Sequence, residues 1–566
     1  MQLDQKRIDQ MTARLGALET ERSTWIEQFR DLSRHFAPRY GRFLETDRNQ
    51  GRKVHQYIND ATPAVAARTL AAGFQGGSTS PARPWFKLGL ADTDLADYHP
   101  VKQWLAGVTR LMLAILSKSG AYSAFQQDYL EAGVFGTTAG IIIPDFDSFA
   151  RFHHLTIGEY SIGVGPNGKP DMLYRKWDMT IANIVKTFGV ENVSMSVKNL
   201  WDTGRGHDQW RTVVHVIEPR EDRDAGKSDA RNMAFRSTYF EYGCEKGKVL
   251  RDSGFKRFPG YVARWDKAGG DIYGNSPAML ALGDAKQLQF YAKRRGQVID
   301  YRTKPPLAIP ARMKNDTLDL LPGGKNYVNM QKGEEIRSAF NVDLGLPELL
   351  GDIQDLRERI RETMFTDLFL MLANIDQTGM TATEIALRQE EKLLMLGPVA
   401  ENLQQEKDSQ VIDLLFDLIE EAGFFKPGGP LEIPQELQRE GQKLEVEFIG
   451  VLAQAQRAVA SSAMNRGLEF LGAAAALKPD VVDKVDLDEA VDRVFDGLGI
   501  DPAIVVPDED VAALREQRAQ QQQQMQDAAV AAEGAKAVGA VSKATGATLD
   551  DMISQFSGYG LPQGSV

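Results

Sequence analysis

The sequence has little that points to chemistry at a metal ion or a thiol. Cys244 is the one cysteine among 566 residues, so no intrachain disulfide can form, as is typical of proteins in a reducing compartment. The seven histidines lack the spacing of metal ligands, and the adjacent His153 and His154 would face opposite sides of a strand. No HExxH or nucleophile-elbow motif occurs. The sequence therefore predicts no metal, no cofactor and no catalytic residue.

The chain also lacks long apolar runs and an excess of positive charge. Its apolar runs are a few residues long, as in GIIIP at 140–144, far short of a membrane span. The polar N-terminus MQLDQKRIDQ predicts no signal peptide. The net charge is -12, whereas a protein that grips nucleic acid over its whole surface is usually basic. We expect a soluble, intracellular protein without a membrane partner, which holds nucleic acid locally or lets it slide past.

Two kinds of periodicity divide the first half of the chain. Residues 2–36, 60–74 and 99–133 repeat apolar positions at three and four, as helices do. From about 139 to 265, short β-rich runs alternate with Pro, Gly and Asn, as in hairpins. The predicted fold class is α+β and mainly helical.

The middle of the chain predicts two long helices around an inserted module. Ser276-Pro277 is a good helix start, and Lys304-Pro305-Pro306 stops that helix after about Arg302. A second helix begins at Leu346-Pro347, and turns and short strands fill the interval. We expect the apolar stripe of this second helix to require neighbouring subunits. Its members are Leu349, Ile353, Leu356, Ile360, Met364, Leu368 and Leu372.

Beyond these helices the pattern is again helical. Thr381-x-x-Glu384 is a capping box, and the helix it starts should reach about Glu421, with a kink at Gly397-Pro398. The seam of this helix is Leu393, Leu396, Ala400 and Leu403. Past 450 the chain is alanine-rich, and the glutamine-rich tail is either a helix held by partners or disordered.

One stretch, GVGPNGKP at 163–170, resembles a phosphate-binding loop. Such a loop needs a following helix and a Ser or Thr after the lysine to hold magnesium. Here Pro170 follows Lys169, and the next residues alternate as a strand does. Asn167-Gly168 is a strong hairpin signal, so we predict a hairpin.

A basic cluster, Lys293-Arg294-Arg295, lies on the first long helix. It faces either a phosphate backbone or else solvent or a neighbouring subunit. The second reading is favoured, because charge runs are usually solvated or paired. Acidic residues on the second helix balance it: Asp352, Asp355, Glu358 and Glu362.

The order of these parts resembles the portal (head-to-tail connector) proteins of short-tailed bacteriophages. Five stretches carry the resemblance: DATPAVAARTLAAGFQGGSTSPARPWFKL at 60–88, VFGTTAG at 134–140, YGNSPAMLALGDAKQL at 273–288, TGMTATEIALRQEEKLLMLGP at 378–398 and VLAQAQRA at 451–458.

The resemblance implies a portal fold with wing, stem, clip and crown, assembled as a ring of about twelve subunits. The implied segments are the wing at 1–275, the stem helices at 276–302 and 346–373, the clip at 303–345, the channel loop at 374–383, the wing's kinked helix and following segment at 384–450, the crown at 451–507, and a tail at 508–566 that is a barrel helix or disordered.

The resemblance also implies the function and the partners. The ring would be the channel for packaging and ejection of double-stranded DNA, made in the host cytoplasm and placed at the portal vertex of the virion. Partners would be terminase, tail adaptors, and capsid and scaffolding proteins. The channel loop would expose Asp376, Gln377, Thr378, Gly379, Met380 and Thr381, and the clip would contact partners through Lys314, Asn315, Lys325 and Asn326.

Two other functions stay open from the residues alone. One is a helical scaffold or adaptor without a channel. The other is an NTP-dependent enzyme that uses Gly163–Lys169.

Overall fold

The structure is a computed structural model. It describes residues 2–43, 58–92, 95–96, 98–224, 226–227, 229–243, 248–304, 306–309, 337–338, 346–373, 396–440, 444–450 and 508–545.

Four helices form the N-terminal framework around a large apolar core. The predicted helix at 99–133 is in fact two, because Gly120 takes a left-handed conformation (φ 74°) between them, which glycine adopts without steric cost. Almost every residue of the second of these helices is buried, so the other elements pack around it. The four helices are α1 (Gln2–His35), α2 (Thr62–Ser78), α3 (His99–Lys118) and α4 (Ala121–Phe135).

Two antiparallel sheets follow, as the alternating pattern between 139 and 265 predicted. The first has the order β3-β2-β9 and packs on α4, and the second has the order β4-β5-β6-β7-β8. Their strands are β2 (Thr137–Asp145), β3 (Phe149–Leu155), β4 (Tyr160–Val164), β5 (Pro170–Thr180), β6 (Trp210–Pro219), β7 (Phe235–Glu241), β8 (Val249–Phe255) and β9 (Gly260–Arg264).

Two short helices interrupt this region, and the reading of 139–265 as strands and turns alone was wrong there. They are α5 (Ile181–Phe188) and α6 (Met195–Asp202). Thr180 and Ser194 cap them, accepting hydrogen bonds from the Asn183 and Val197 amides. Both are helix-start signals that the strand-like pattern on either side obscured.

Strand β1 (Phe86–Leu90) pairs with β12 (Leu444–Phe448), more than 350 residues later in the chain. The two strands are antiparallel, with Phe86 opposite Phe448. The Trp85 and Phe448 rings stack, 6.4 Å apart. This pairing places an N-terminal segment and a C-terminal segment of the chain side by side in one two-stranded sheet.

The predicted pair of long helices is present, and each helix is interrupted. Ser276 caps the first, accepting from the Met279 amide at 3.1 Å, and a turn at Ala281 divides it into α7 (Pro277–Leu280) and α8 (Leu282–Thr303). The second divides into α9 (Leu346–Thr363) and α10 (Thr366–Ala373). Phe365 between them has a φ of 52°, which is unfavourable for a bulky residue. Continuous helices over 276–302 and 346–373 were therefore wrong in detail.

The apolar stripe of α9 and α10 packs inside its own subunit, against α2 and α8. The inference that this stripe requires neighbouring subunits was wrong, because periodicity identifies a buried face without identifying what covers it. Its fully buried members are Ile353, Leu356, Ile360, Met364 and Leu368.

Helices α8 and α9 are antiparallel neighbours. Arg359 near the end of α9 pairs with Asp284 near the start of α8 at 3.0 Å. At the other end of the pair, β10 (Leu307–Ala308) and β11 (Arg337–Ser338) form a two-residue antiparallel ladder. The ladder brings together the two ends of the segment that the helices flank.

The remaining described elements lie toward the C-terminus. Residues 396–403 are helical and continue through a π-helical turn at Gln404–Asp408 into α11 (Ser409–Glu421), where the helix ends as predicted. Helix α12 spans Gln435–Glu440. In the tail, α13 (Asp508–Thr545) favours the helical alternative for that stretch.

Gly136 is a site where only glycine fits. It ends α4 in a left-handed conformation (φ 75°), and a Cβ there would overlap the carbonyl oxygen of Gly274. We expect Gly136→Ala to lower the free energy of unfolding by about 3 kcal/mol or more, because strain and backbone overlap add. Gly168→Ala (φ 71°, with open space around it) should cost only about 1 kcal/mol. Urea unfolding checks both variants, and equal losses would contradict the overlap.

Candidate functional site

The surface of α8 carries the predicted basic cluster. Lys293 and Arg294 are exposed and Arg295 is half-buried. The Arg294 guanidinium lies 5.0 Å from the centre of the Phe290 ring and donates to Gln297 at 3.3 Å. Within the described part of the chain, none of the three cations forms an ion pair. Their charge is therefore not neutralised by any described residue of the subunit.

Helix α9 exposes an acidic stripe that the cations of α8 do not reach. Asp352, Asp355, Glu358 and Glu362 are all exposed, and their spacing of three and four places them along one side of the helix. Two arginines of α9 pair with acids outside the stripe, Arg357 with Asp60 at 2.8 Å and Arg359 with Asp284 of α8 at 3.0 Å. The expected balance between basic and acidic residues exists in composition, but the two stripes do not pair with each other in one chain.

Large apolar side chains are exposed on the same helices. This is unusual, because burying such a side chain contributes about 1.5–3 kcal/mol. The most exposed is Leu280 at the start of the helix pair, at 81%. The others are Phe290, Ile299, Tyr301, Leu350 and Leu370.

A second site lies where the chain returns from the predicted channel loop. There the helix over 396–421 contains the π-helical turn Gln404–Asp408, which carries three consecutive buried charged residues, Glu406, Lys407 and Asp408. Such turns insert an extra residue and often lie at functional sites. A kink at Gly397-Pro398 stays a prediction, and the irregularity observed lies a few residues later.

Glu406 ties this turn to the strand β9. Its carboxylate accepts from the Arg264 guanidinium at 2.6 Å and from the Arg264 amide at 3.0 Å. Lys267 donates to the same carboxylate at 3.1 Å. Arg264 also donates to the carbonyl of Gly168 at 2.9 Å, so one guanidinium connects the turn, β9 and the hairpin between β4 and β5.

Lys407 ties the turn to α4. Its ammonium is fully buried and donates to Asp408 at 2.8 Å and to the Tyr129 hydroxyl at 3.0 Å. It also lies 4.2 Å from the centres of the Phe125 and Tyr129 rings. Burial opposes the charge on Lys407, but the Asp408 carboxylate raises the pKa of the ammonium above its ordinary value.

A third buried set lies beside Lys407. Asp128 accepts from Thr138 at 2.9 Å, from His154 at 2.6 Å and from Tyr261 at 2.7 Å. Glu131 accepts from the Ile157 amide and lies 3.4 Å from the other ring nitrogen of His154. Together with Tyr129, Arg264 and residues 406–408, these residues form what we call the buried charge network.

Sequence reasoning did not find this network, although one signal was present. The seam Leu396, Ala400, Leu403 continues to Lys407 at the next position, four residues on. A lysine on an apolar seam indicates a buried cation with a partner. The adjacent His153 and His154 were correctly placed on opposite faces of a strand, because only the side chain of His154 points at Asp128.

GVGPNGKP is the hairpin that the sequence predicted. Strands β4 and β5 pair around it, and the amide of Gly165 donates to the Lys169 carbonyl at 2.9 Å. No helix follows the lysine, since β5 begins at Pro170. The stretch therefore lacks the helix N-terminus on which a phosphate-binding loop depends.

The other predicted site residues cannot be located. Residues 376–381 of the channel loop, the clip residues Lys314, Asn315, Lys325 and Asn326, the crown at 451–507 and Cys244 lie outside the described residues. Among the residues that the structure does describe, no group of three or more His, Cys, Asp or Glu side chains is placed to hold a metal. None of the described helices is long and apolar enough to cross a bilayer.

The profile of one protein family, described as "Bacteriophage head to tail connecting protein", matches residues 8–505. The chain belongs to this family. The predicted resemblance to phage connector proteins is thus confirmed at the level of the family. The match ends at residue 505, before the tail at 508–566.

Two relatives of this connector cover nearly its whole length. The "Probable portal protein" of Bordetella phage BPP-1 is 47% identical over 553 residues, 97% of this chain and 98% of the relative. The "Portal protein" of Salmonella phage epsilon15 is 39% identical over 513 residues, 90% and 91% of the two chains.

Two solved structures match the connector with low sequence identity and low TM-scores. A chain of the virion of a native gene transfer agent particle matches with a TM-score of 0.34 and 11% identity, covering 74% of this chain and 87% of that one. A chain from the neck of an empty particle of the same kind gives the same TM-score and identity, with 70% and 83% covered.

The buried charge network makes the stability of the connector depend on pH. Burial alone would lower the pKa of His154, but Glu131 and Asp128 raise it to about 10, from 6.5. A raised pKa stabilises the fold fully below pH 6.5, and this contribution is lost as the pH rises toward 10. Between these values we expect the free energy of unfolding to fall by up to about 1.4 kcal/mol per pH unit.

Urea unfolding at pH 7, 8, 9 and 10 measures this slope. His154→Gln should flatten it, because glutamine does not titrate. The control His99→Gln, which changes a ring that touches Gln103 on an exposed surface, should leave it unchanged. The same slope in wild type and His154→Gln would show that the pH dependence of stability does not come from His154.

Proposed function

We propose that this chain is a portal protein, which forms a ring at one capsid vertex and serves as the channel for double-stranded DNA. The observation that carries the proposal is 47% identity over 97% of the chain to a probable portal protein. In this proposal the ring has about twelve copies with closed cyclic symmetry. Terminase docks on it during packaging, tail adaptors dock later, and capsid and scaffolding proteins surround it in the virion.

The helix pair α8 and α9 would be the stem, and the segment between them the clip. The antiparallel packing of the two helices and the closing ladder of β10 and β11 support this assignment. We also propose that residues 374–383 line the channel. Residues 376–381 contain one acid and no base, so they would add little salt-dependent affinity for passing phosphates.

The protein would not itself hydrolyse ATP in this proposal. The hairpin geometry of Gly163–Lys169 argues against the rival function of an NTP-dependent enzyme, and the energy for packaging would come from terminase. A scaffold or adaptor without a channel is the other rival. Ring formation separates it from a portal.

We propose that the basic cluster of α8 in one copy pairs with the acidic stripe of α9 in the neighbouring copy of the ring. The basic cluster of α8 has no ion-pair partner among the described residues, the acidic stripe of α9 is exposed, and large apolar side chains are exposed on the same helix pair. Such a contact is head-to-tail, because the basic face of one copy meets the acidic face of the next. A head-to-tail contact closes into a ring when the rotation between copies divides a full turn.

Charge reversal tests the pairing. Reversing all three cations (Lys293→Glu, Arg294→Glu and Arg295→Glu) gives a chain in which both faces are acidic. Reversing all four acids (Asp352→Lys, Asp355→Lys, Glu358→Lys and Glu362→Lys) gives one in which both faces are basic. We expect each variant alone to stay monomeric, because every contact would be repulsive. A mixture of the two should form rings in which they alternate. Negative-stain microscopy and mass measurement read out both results.

A chain with all seven reversals should also form rings, since every contact again joins opposite charges. The matched control reverses Lys198 and Arg205, two exposed cations on and beside α6, and should assemble as wild type does. Wild-type rings together with normal rings from each single-stripe variant would refute the pairing. Wild-type protein that never forms closed rings would refute the portal.

The channel loop has a separate test. Replacing 376–381 with a Gly-Ser linker of equal length should leave ring formation intact but reduce the DNA retained per particle several-fold, because a flexible linker would no longer hold fixed side chains against the duplex in the channel. DNA content of particles from complemented infections measures the effect. Replacing the exposed turn 203–205 with Ser-Gly-Ser, which keeps the glycine at 204 (φ 68°), serves as control. Full heads with the loop variant would contradict a channel role for these residues.

A further inference from the structure

A polar pocket of about 430 Å³ lies where α1, α5 and β8 meet at the edge of the five-stranded sheet. Three arginines line it together with Asp252, Thr187 and Asn192. Arg7 comes from α1, Arg251 from β8, and Arg231 from a short 3-10 turn, Ala230–Asn232. Three separate parts of the chain thus bring guanidinium groups to one cavity.

The single acid that lines the pocket already has partners. Asp252 accepts from Arg7 at 3.2 Å and from the Thr238 hydroxyl at 3.1 Å, and the Arg220 guanidinium lies 4.0 Å away. Arg231 and Arg251 are exposed, and neither side chain forms an ion pair with the described residues. The pocket therefore has an excess of positive charge, in a chain whose net charge is -12.

A buried arginine fixes the turn that carries Arg231. Arg220, whose side chain is 5% exposed, donates to the Arg231 carbonyl and, at 2.9 Å, to the Ser253 carbonyl. This contact fixes the backbone of the turn to the neighbouring strand β8. An arrangement held in this way loses less conformational entropy when a ligand binds.

We propose that this pocket binds a phosphate group. Guanidinium groups donate in pairs to the oxygens of planar carboxylates and of phosphates. Three arginines and one aspartate leave a net charge of +2 in the pocket, which a single carboxylate with one charge does not match. One free phosphate, or two neighbouring phosphodiesters of a DNA strand, carries up to two charges and offers more acceptor oxygens. The polar lining and the hydroxyl of Thr187 suit such a ligand.

The phosphate has two sources, the backbone of double-stranded DNA or free phosphate in solution. We assign it to DNA, and that assignment rests on the proposed function, since a portal works beside DNA. The pocket itself does not depend on the assignment, because all its residues belong to one chain. It would be a local point of attachment on a protein that is acidic as a whole.

Titration of the full-length protein with inorganic phosphate, in a phosphate-free buffer, tests the pocket. Arg231→Gln with Arg251→Gln should weaken binding at least tenfold, because each charge-assisted hydrogen bond contributes about a factor of ten or more. Arg231→Lys with Arg251→Lys keeps the charge but not the paired donors and should fall between. Lys198→Gln with Arg205→Gln, on the exposed surface of and beside α6, is the control and should bind as wild type does.

A second arm identifies the source. The affinity for a 30-base-pair duplex is measured at several salt concentrations, and the Arg231→Gln with Arg251→Gln variant should show a shallower dependence on salt. Weaker phosphate binding with an unchanged duplex slope would assign the pocket to free phosphate and overturn the DNA source. Equal phosphate binding by wild type and this variant, or tighter binding of polyglutamate than of phosphate, would overturn the phosphate pocket.

These outcomes are separable from the failure of the portal function. If wild type forms no rings but the Arg231→Gln with Arg251→Gln variant binds phosphate more weakly, the phosphate pocket is supported and the portal function is refuted. If rings form and phosphate binding is insensitive to Arg231 and Arg251, the reverse is true.

Discussion

The body of this protein depends on three consecutive charged side chains that are held inside it. Glu406 pairs with Arg264, and Lys407 pairs with Asp408 and Tyr129. Taking such groups out of water is costly unless each one finds its partner, and removing one partner typically costs about 3–5 kcal/mol. The helix over 396–421 can therefore pack against α4 and β9 in one register only. The π-helical turn is the backbone irregularity that brings all three side chains to their partners together.

Much of the architecture was predictable from the sequence, and the limits have physical causes. Ser276-Pro277 and Asn167-Gly168 are local signals, in which the residue types alone decide the cap and the turn, and both predictions were confirmed. Helices α5 and α6 were missed because eight-residue helices offer little periodicity. The break at Phe365 gives no signal at all, since no glycine or proline marks it. The buried charge network was missed because its members are far apart in sequence.

The helix pair α8 and α9 shows a different limit of prediction from sequence. The sequence identified the basic residues of α8 and the acidic residues of α9, but it could not tell whether they face each other within one chain. In the structure they do not, while the apolar stripe that was expected to face neighbours is covered by α2 and α8. A pattern gives the chemical character of a helix face and leaves its partner open. Assembly must then be argued from the charge and apolar area that remain exposed once a subunit has folded.

The two-residue ladder between β10 and β11 brings together the two ends of the segment 309–336, next to the helix pair α8 and α9. Because closing a longer segment adds only about 0.6 kcal/mol for each doubling of its length, residues 309–336 can change in number and type with little effect on the helices on either side. The helix pair is thus constrained by its own packing, while the length of the segment between β10 and β11 can vary separately from it.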